Sequence, residues 1–153
     1  MIQRARQAGY SLVELIITAA MISIVASFAF PSFLNYYRSA NVRAAAQTVS
    51  AVLNQGRQLA IKNNLRLVAV CSTTSTIQFR EDDCSGAAIP VVGLTDAANN
   101  VKVPAGVSLT TTASATFANL GNAAPGATYT VTDSASGRTL TVTVAPSGRI
   151  TIP

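Results

Sequence analysis

The 153-residue chain has no histidine, no tryptophan and only two cysteines, and just 11% of its residues are charged. Without histidine it lacks the commonest general base, most zinc-ligand sets and any Ser-His-Asp constellation. No Ser-x-x-Lys and no G-x-x-x-x-G-K stretch occurs, so neither a serine–lysine nucleophile nor a phosphate-cradling loop is encoded. Glu81-Asp82-Asp83 is the one carboxylate cluster. It lacks the spaced oxygen ligands of an EF-hand and reads as a solvated turn. The chain is therefore not expected to be an enzyme, and no cofactor or metal is implied.

Cys71 and Cys84 do not form a C-x-x-C redox motif. Outside the cytoplasm they would close a loop as a disulfide, contributing roughly 3 kcal/mol in the chain-entropy picture. In a reducing compartment they would be two buried free thiols. Net charge is +5, two units of which come from Arg4 and Arg6 near the N-terminus. What is left is mildly basic and suits a solvated surface rather than a nucleic-acid footprint.

Against this sparse charge stands one long apolar run. Leu15 to Leu34 carries no formal charge over 20 residues, enough to cross a bilayer and too long for a secretory signal core. Arg4 and Arg6 precede it and Arg38 and Arg43 follow it, so charge bias leaves its orientation open. The cysteine pair favours a C-terminal region outside the cytoplasm. Two residues do not suit a plain anchor: Glu14 at its start and Pro31 near its end. An ionised carboxylate in hydrocarbon costs several kcal/mol unless paired, and no basic residue follows within a few turns. Cleavage after Gly9 would create a cationic amine on Tyr10, four residues before Glu14.

Gly9-Tyr10-Ser11-Leu12-Val13-Glu14 and the apolar run after it resemble the class III signal of type IV pilins and type II secretion pseudopilins. The resemblance implies that a prepilin peptidase cuts between Gly9 and Tyr10 and N-methylates Tyr10. It implies that Glu14 is the assembly charge, compensating the Tyr10 amine of a neighbouring subunit. Pro31 would kink the helix and mark a stretch that loosens when the fibre assembles. The usual first mature residue is Phe, so Tyr10 is a departure. Implied partners are other major and minor pilins or pseudopilins, the peptidase, an inner-membrane assembly platform, and lipid before assembly. The implied location is the bacterial inner membrane, single-pass with a periplasmic head, and then a pilus or pseudopilus.

Beyond the run, Val42, Ala45, Ala46, Val49, Val52, Leu53, Gly56, Leu59 and Ala60 recur at three- and four-residue steps. They predict one buried face of a continuing helix, with Arg43, Gln47, Asn54, Arg57 and Lys62 away from it and a stop at Asn63-Asn64. The expected organisation is a leader (1–9), a membrane and filament-core helix (10–34), its amphipathic half (35–64) and a β-rich head (65–153). The fold class is α+β, a long kinked helix on an antiparallel sheet. "RLVAVCS" and "TIQFRE" predict a hairpin, and "AAIPVVGL" and "VKVPAGVSLTT" weaker strands broken by Pro90 and Pro104. "TYTVTD", "RTLTVTVA" and "RITIP" alternate with period two around Ser-Gly turns and predict a closing meander.

The order of helix, apolar strand into Cys71, loop to Cys84 and final strand after Gly148-Arg149 is similar to the GspH/FimT family of minor pilins and pseudopilins. The tryptophan-bearing strand common there is missing. The function this implies is that of a minor type IV pilin, helping to initiate, cap or decorate a fibre. Its alternatives are a type II secretion pseudopilin and a DNA-capturing minor pilin. DNA capture in that family uses a Gly-Arg-x-Arg motif. Here it reads Gly148-Arg149-Ile150-Thr151, with the second Arg replaced. Lys102, Arg138 and Arg149 are the candidate DNA contacts if their loops converge, and two or three phosphate contacts bind weakly.

Overall fold

The computed structural model describes residues 11–63 and 67–153. Among these described residues, one α-helix, α1 (Leu12–Lys62), is followed by eight strands: β1 (Leu67–Ser72), β2 (Thr76–Glu81), β3 (Asn100–Lys102), β4 (Val107–Thr111), β5 (Ala115–Ala118), β6 (Ala127–Asp133), β7 (Thr139–Val144) and β8 (Ile150–Thr151). The chain divides after Tyr37 into two units.

In the first unit the helix is apolar and uncovered. Leu12, Ile16, Ile22, Val25, Phe28 and Phe33 are all more than half exposed. Its hydroxyls are turned back on the backbone: Thr18 Oγ1 donates to the Leu15 carbonyl, Ser23 to Ala19 and Ser27 to Ile24. These bonds satisfy the three hydroxyls internally, which lowers their cost in lipid.

In the second unit, Arg38–Pro153, α1 buries the predicted stripe: Val42, Ala45, Ala46, Val49, Val52, Leu53, Gly56 and Ala60. Small residues on that stripe let helix and sheet approach closely. A Cβ on Gly56 would lie 2.7 Å from Val70 Cγ2 and 3.3 Å from the Phe79 ring. The core is completed by Phe79, Phe117, Tyr129 and a set of buried valines.

The head contains two antiparallel sheets, where the sequence predicts one. The first runs β3-β2-β1-β5 and the second β4-β6-β7-β8. The switch falls inside "VKVPAGVSLTT": Pro104 cannot donate to a ladder, and Gly106 at φ 83° turns the chain from β3 in one sheet to β4 in the other. "AAIPVVGL" is not a strand. Ala88 bridges Arg80 and the Ile89 amide reaches the Phe79 carbonyl. Pro90 then ends the pairing, and Val91–Leu94 turns away. β5, unpredicted, pairs with β1 from Leu67↔Ala118 to Val70↔Ala115.

Tyr129 of β6 joins the two sheets. Its ring is fully buried, and its hydroxyl accepts from the Ala115 amide at 3.0 Å and donates to the Val70 carbonyl at 3.0 Å. Burial pushes the phenol up to about 12, opposed by the Ala115 bond, so it stays a neutral donor at any ordinary pH. Tyr129→Phe keeps the packing and orphans both backbone groups, an expected loss of about 2 kcal/mol in chemical unfolding of the full chain. Unchanged stability would mean that water replaces the hydroxyl.

Candidate functional site

The residues singled out by sequence fall into two groups. Gly9 and Tyr10, the proposed cleavage and methylation positions, lie outside the described residues. Glu14 stands in the first turn of α1, where the Leu15 amide bonds back to the Ser11 carbonyl at 3.2 Å. A carboxylate in a helix's first turn gains about 0.3–1 kcal/mol from the exposed amides and dipole. That falls short of the several kcal/mol that an unpaired charge costs once it is enclosed among apolar side chains, so capping alone does not account for an acid here. Glu14 therefore still calls for a partner. Pro31 lies within α1, which stays α-helical across it. Proline has no amide to donate, so the Ser27 carbonyl one turn back lacks its helical partner.

In the head, Cys71 and Cys84 are joined as a disulfide with Cα atoms 5.7 Å apart, and the free-thiol alternative is set aside. Cys84 belongs to the acidic turn after β2. Asp83 accepts the Ser85 hydroxyl at 2.8 Å and the amides of Ser85 and Gly86. The Ser85 hydroxyl and then its amide hold this carboxyl below its usual range. The acid thus shapes its own turn. Among the described residues, no group of three or more His, Cys, Asp or Glu could hold a metal ion.

The three candidate DNA contacts do not converge. Lys102 ends β3 in the first sheet, where its charge helps lower the Asp96 carboxyl after the Asn100 and Ala98 amides. Arg138 precedes β7 in the second sheet and donates to the Ser39 hydroxyl. Arg149 lies past the other end of β7, its carbonyl accepting the Ala145 amide at 2.9 Å. The six-residue strand β7, roughly 20 Å long, separates Arg138 from Arg149. The hairpin that brings β8 back beside β7 sets this distance, and the two "SGR" turns flank opposite ends of one strand.

Sequence reasoning passes over two features of the head. Arg57, assigned to the solvent side, is half-buried, with its Nε enclosed and unpartnered against Gly121 and Gly148. Ser39, Arg43 and Arg138 also come together, lining a groove of about 700 Å³ with Val42, Leu140 and Ile152. The one available signal was the position of Ser39 and Arg43 just after the apolar run and Tyr36-Tyr37; Arg138 had none.

Comparison with known proteins follows this geometry. Residues 45–148 match the profile of the type II transport protein GspH family, and residues 4–30 match the prokaryotic N-terminal methylation motif. The chain belongs to the GspH family. Two solved structures share its fold at a TM-score of 0.55. One is the type IV minor pilin FimU of Pseudomonas aeruginosa, 14% identical, covering 77% of this chain and 92% of its own. The other is the minor pseudopilin EpsH of the Vibrio cholerae type 2 secretion system, 13% identical, covering 74% and 96%. No curated protein matches the chain. The GspH-family chain thus shares the fold of a minor pilin and of a minor pseudopilin. It carries an apolar helix long enough to cross a membrane and a methylation motif at the start of that helix.

Proposed function

We propose that this chain is a minor type IV pilin, held first in the inner membrane with its head in the periplasm and then drawn into a filament by α1. The observation that carries the reading is the uncovered apolar surface from Leu12 to Leu34, with a single acid in its first turn. Such a surface requires either lipid or the helices of other subunits. The Cys71–Cys84 disulfide supports a periplasmic head, because such bonds persist in oxidising compartments. On this reading the peptidase cuts after Gly9, Tyr10 becomes the methylated N-terminus, and Pro31 is where the helix loosens on assembly. The head has no catalytic task.

The family description favours a second reading, a minor pseudopilin of a type II secretion system. Deleting the gene in its host separates them: loss of surface pili supports the first, and loss of a secreted protein with pili intact supports the second. DNA capture through Lys102, Arg138 and Arg149 as one patch is not part of the proposal, given their separation. Gly9→Val is expected to leave a precursor longer by the nine residues Met1–Gly9, read by intact-mass spectrometry of the membrane fraction. A mature-length product would overturn the cleavage assignment.

A further inference from the structure

The groove in the head combines charge and apolar surface in one place. Arg138 Nη1 donates to Ser39 Oγ, which holds its guanidinium against α1. Arg43 is exposed about one turn further along the helix. Val42, Leu140 and Ile152 supply the apolar side. The acid of the adjoining hairpin, Asp133, is occupied by its own turn. It accepts the Ser136 hydroxyl and amide at 2.6 Å each and the Ala135 amide at 3.2 Å. These bonds, with Arg38 nearby, hold its carboxyl below the usual range, so it keeps its negative charge, which Arg38 helps to offset. Arg43 and Arg138 are the cations that line the groove itself.

The position of the groove along the chain identifies what it meets. Ser39 follows Leu34, the end of the apolar run, by five residues. Five residues span at most roughly 17 Å however they are arranged, so Ser39 stays near the headgroup layer while the run is in a bilayer. Tyr36 and Tyr37, 74% and 56% exposed, fall in this interval. Tyrosines gather where hydrocarbon gives way to headgroups. Hydrocarbon, aromatic belt and then basic side chains with a hydroxyl is the order in which a membrane-anchored chain meets acyl chains, glycerol and phosphate.

We propose that the groove lined by Ser39, Arg43 and Arg138 binds the headgroup of an anionic phospholipid of the membrane in which the chain is anchored. The two guanidiniums would take the phosphate oxygens, with Arg138 already oriented by Ser39. Val42, Leu140 and Ile152 would lie against the apolar part of the headgroup and its glycerol. This contact keeps the head on the bilayer surface until the subunit is extracted, and extraction breaks it. A DNA strand is the less favoured occupant, since two arginines make too few phosphate contacts to hold it at physiological salt. The proposal rests on the reading of the chain as membrane-anchored, and the experiment separates the two.

The full chain is reconstituted into nanodiscs of phosphatidylcholine alone, or of phosphatidylcholine and phosphatidylglycerol in equal parts, and its retained lipids are read by native mass spectrometry. Retention of phosphatidylglycerol over phosphatidylcholine is expected, and Arg43→Gln and Arg138→Gln should each reduce that preference about fivefold. Arg149→Gln, outside the groove, should leave it unchanged. A chain that inserts but shows no headgroup preference overturns the proposal alone, as does a preference that survives both groove substitutions. Displacement of phosphatidylglycerol by a short DNA duplex at physiological salt would also overturn it, in favour of nucleic-acid phosphate. A chain that inserts into neither disc overturns the anchored reading and the proposal with it.

Discussion

Glu14→Ala is expected to leave the protein in the membrane at its normal level and to reduce its recovery in sheared filaments about tenfold or more. In the precursor no fixed cation is required, because the acid sits at the start of the apolar run, where it can reach the interface. In the proposed filament the same carboxylate would be surrounded by apolar helices such as the uncovered Leu12–Leu34 surface. There it needs an opposite charge, and the proposed partner is the Tyr10 amine of a neighbouring subunit. The alternative role, a helix-cap charge, is worth under about 1 kcal/mol and predicts a slightly frayed helix with normal incorporation. Glu14→Gln separates the two, since it removes the charge and keeps size and hydrogen bonding. Immunoblots of membrane and sheared fractions give the result, and wild-type recovery of the Gln variant would sink the pairing role.

How much was legible in the sequence depended on how local the signal was. The stripe from Val42 to Ala60 was readable because helical periodicity is set by neighbours three and four residues away, and the structure buries that stripe. The β1–β2 hairpin and the β6–β8 meander were readable for the same reason, through period-two alternation around turns. The division into two sheets was not. It depends on Pro104-Ala105-Gly106 carrying the chain from one sheet to the other, and on β5 pairing with β1 nearly fifty residues earlier. β5 is only "ATFA", too short and too small in its side chains to stand out from the Ser/Thr-rich stretch around it. The groove was hidden for a similar reason, since Ser39 and Arg138 meet across 99 positions. Glu14 was legible because it is a charge in a place where charge is costly. The lack of any nearby basic partner is a statement about sequence alone.

Gly148→Ala is expected to destabilise the head by about 3 kcal/mol or more, though it adds a single methyl at a turn. Gly148 has φ 78°, where a side chain costs about 1–2 kcal/mol. Its Cβ would also fall 1.9 Å from the Gly121 carbonyl oxygen and 3.3 Å from Arg57 Nε. Gly121 cannot simply withdraw. It too has φ 78°, and its own α-carbon is packed under Arg57 Nε and Ile61 Cδ1. The β7–β8 turn and the β5–β6 loop therefore meet backbone to backbone beneath an arginine that protrudes from α1, and any shift moves all three elements. Gly137 is the internal control. It has the same Ser-Gly-Arg surroundings and φ 67°, but nothing lies within 4 Å of its would-be Cβ. Gly137→Ala should cost only the backbone term, about 1 kcal/mol. Chemical unfolding of the two variants, followed by circular dichroism, tests the contrast. Equal losses would show that left-handed backbone strain, and not the wedge between Gly121 and Arg57, governs both turns. Two identical tripeptides with unequal responses would place the difference in the tertiary contact, which the sequence repeat could not reveal.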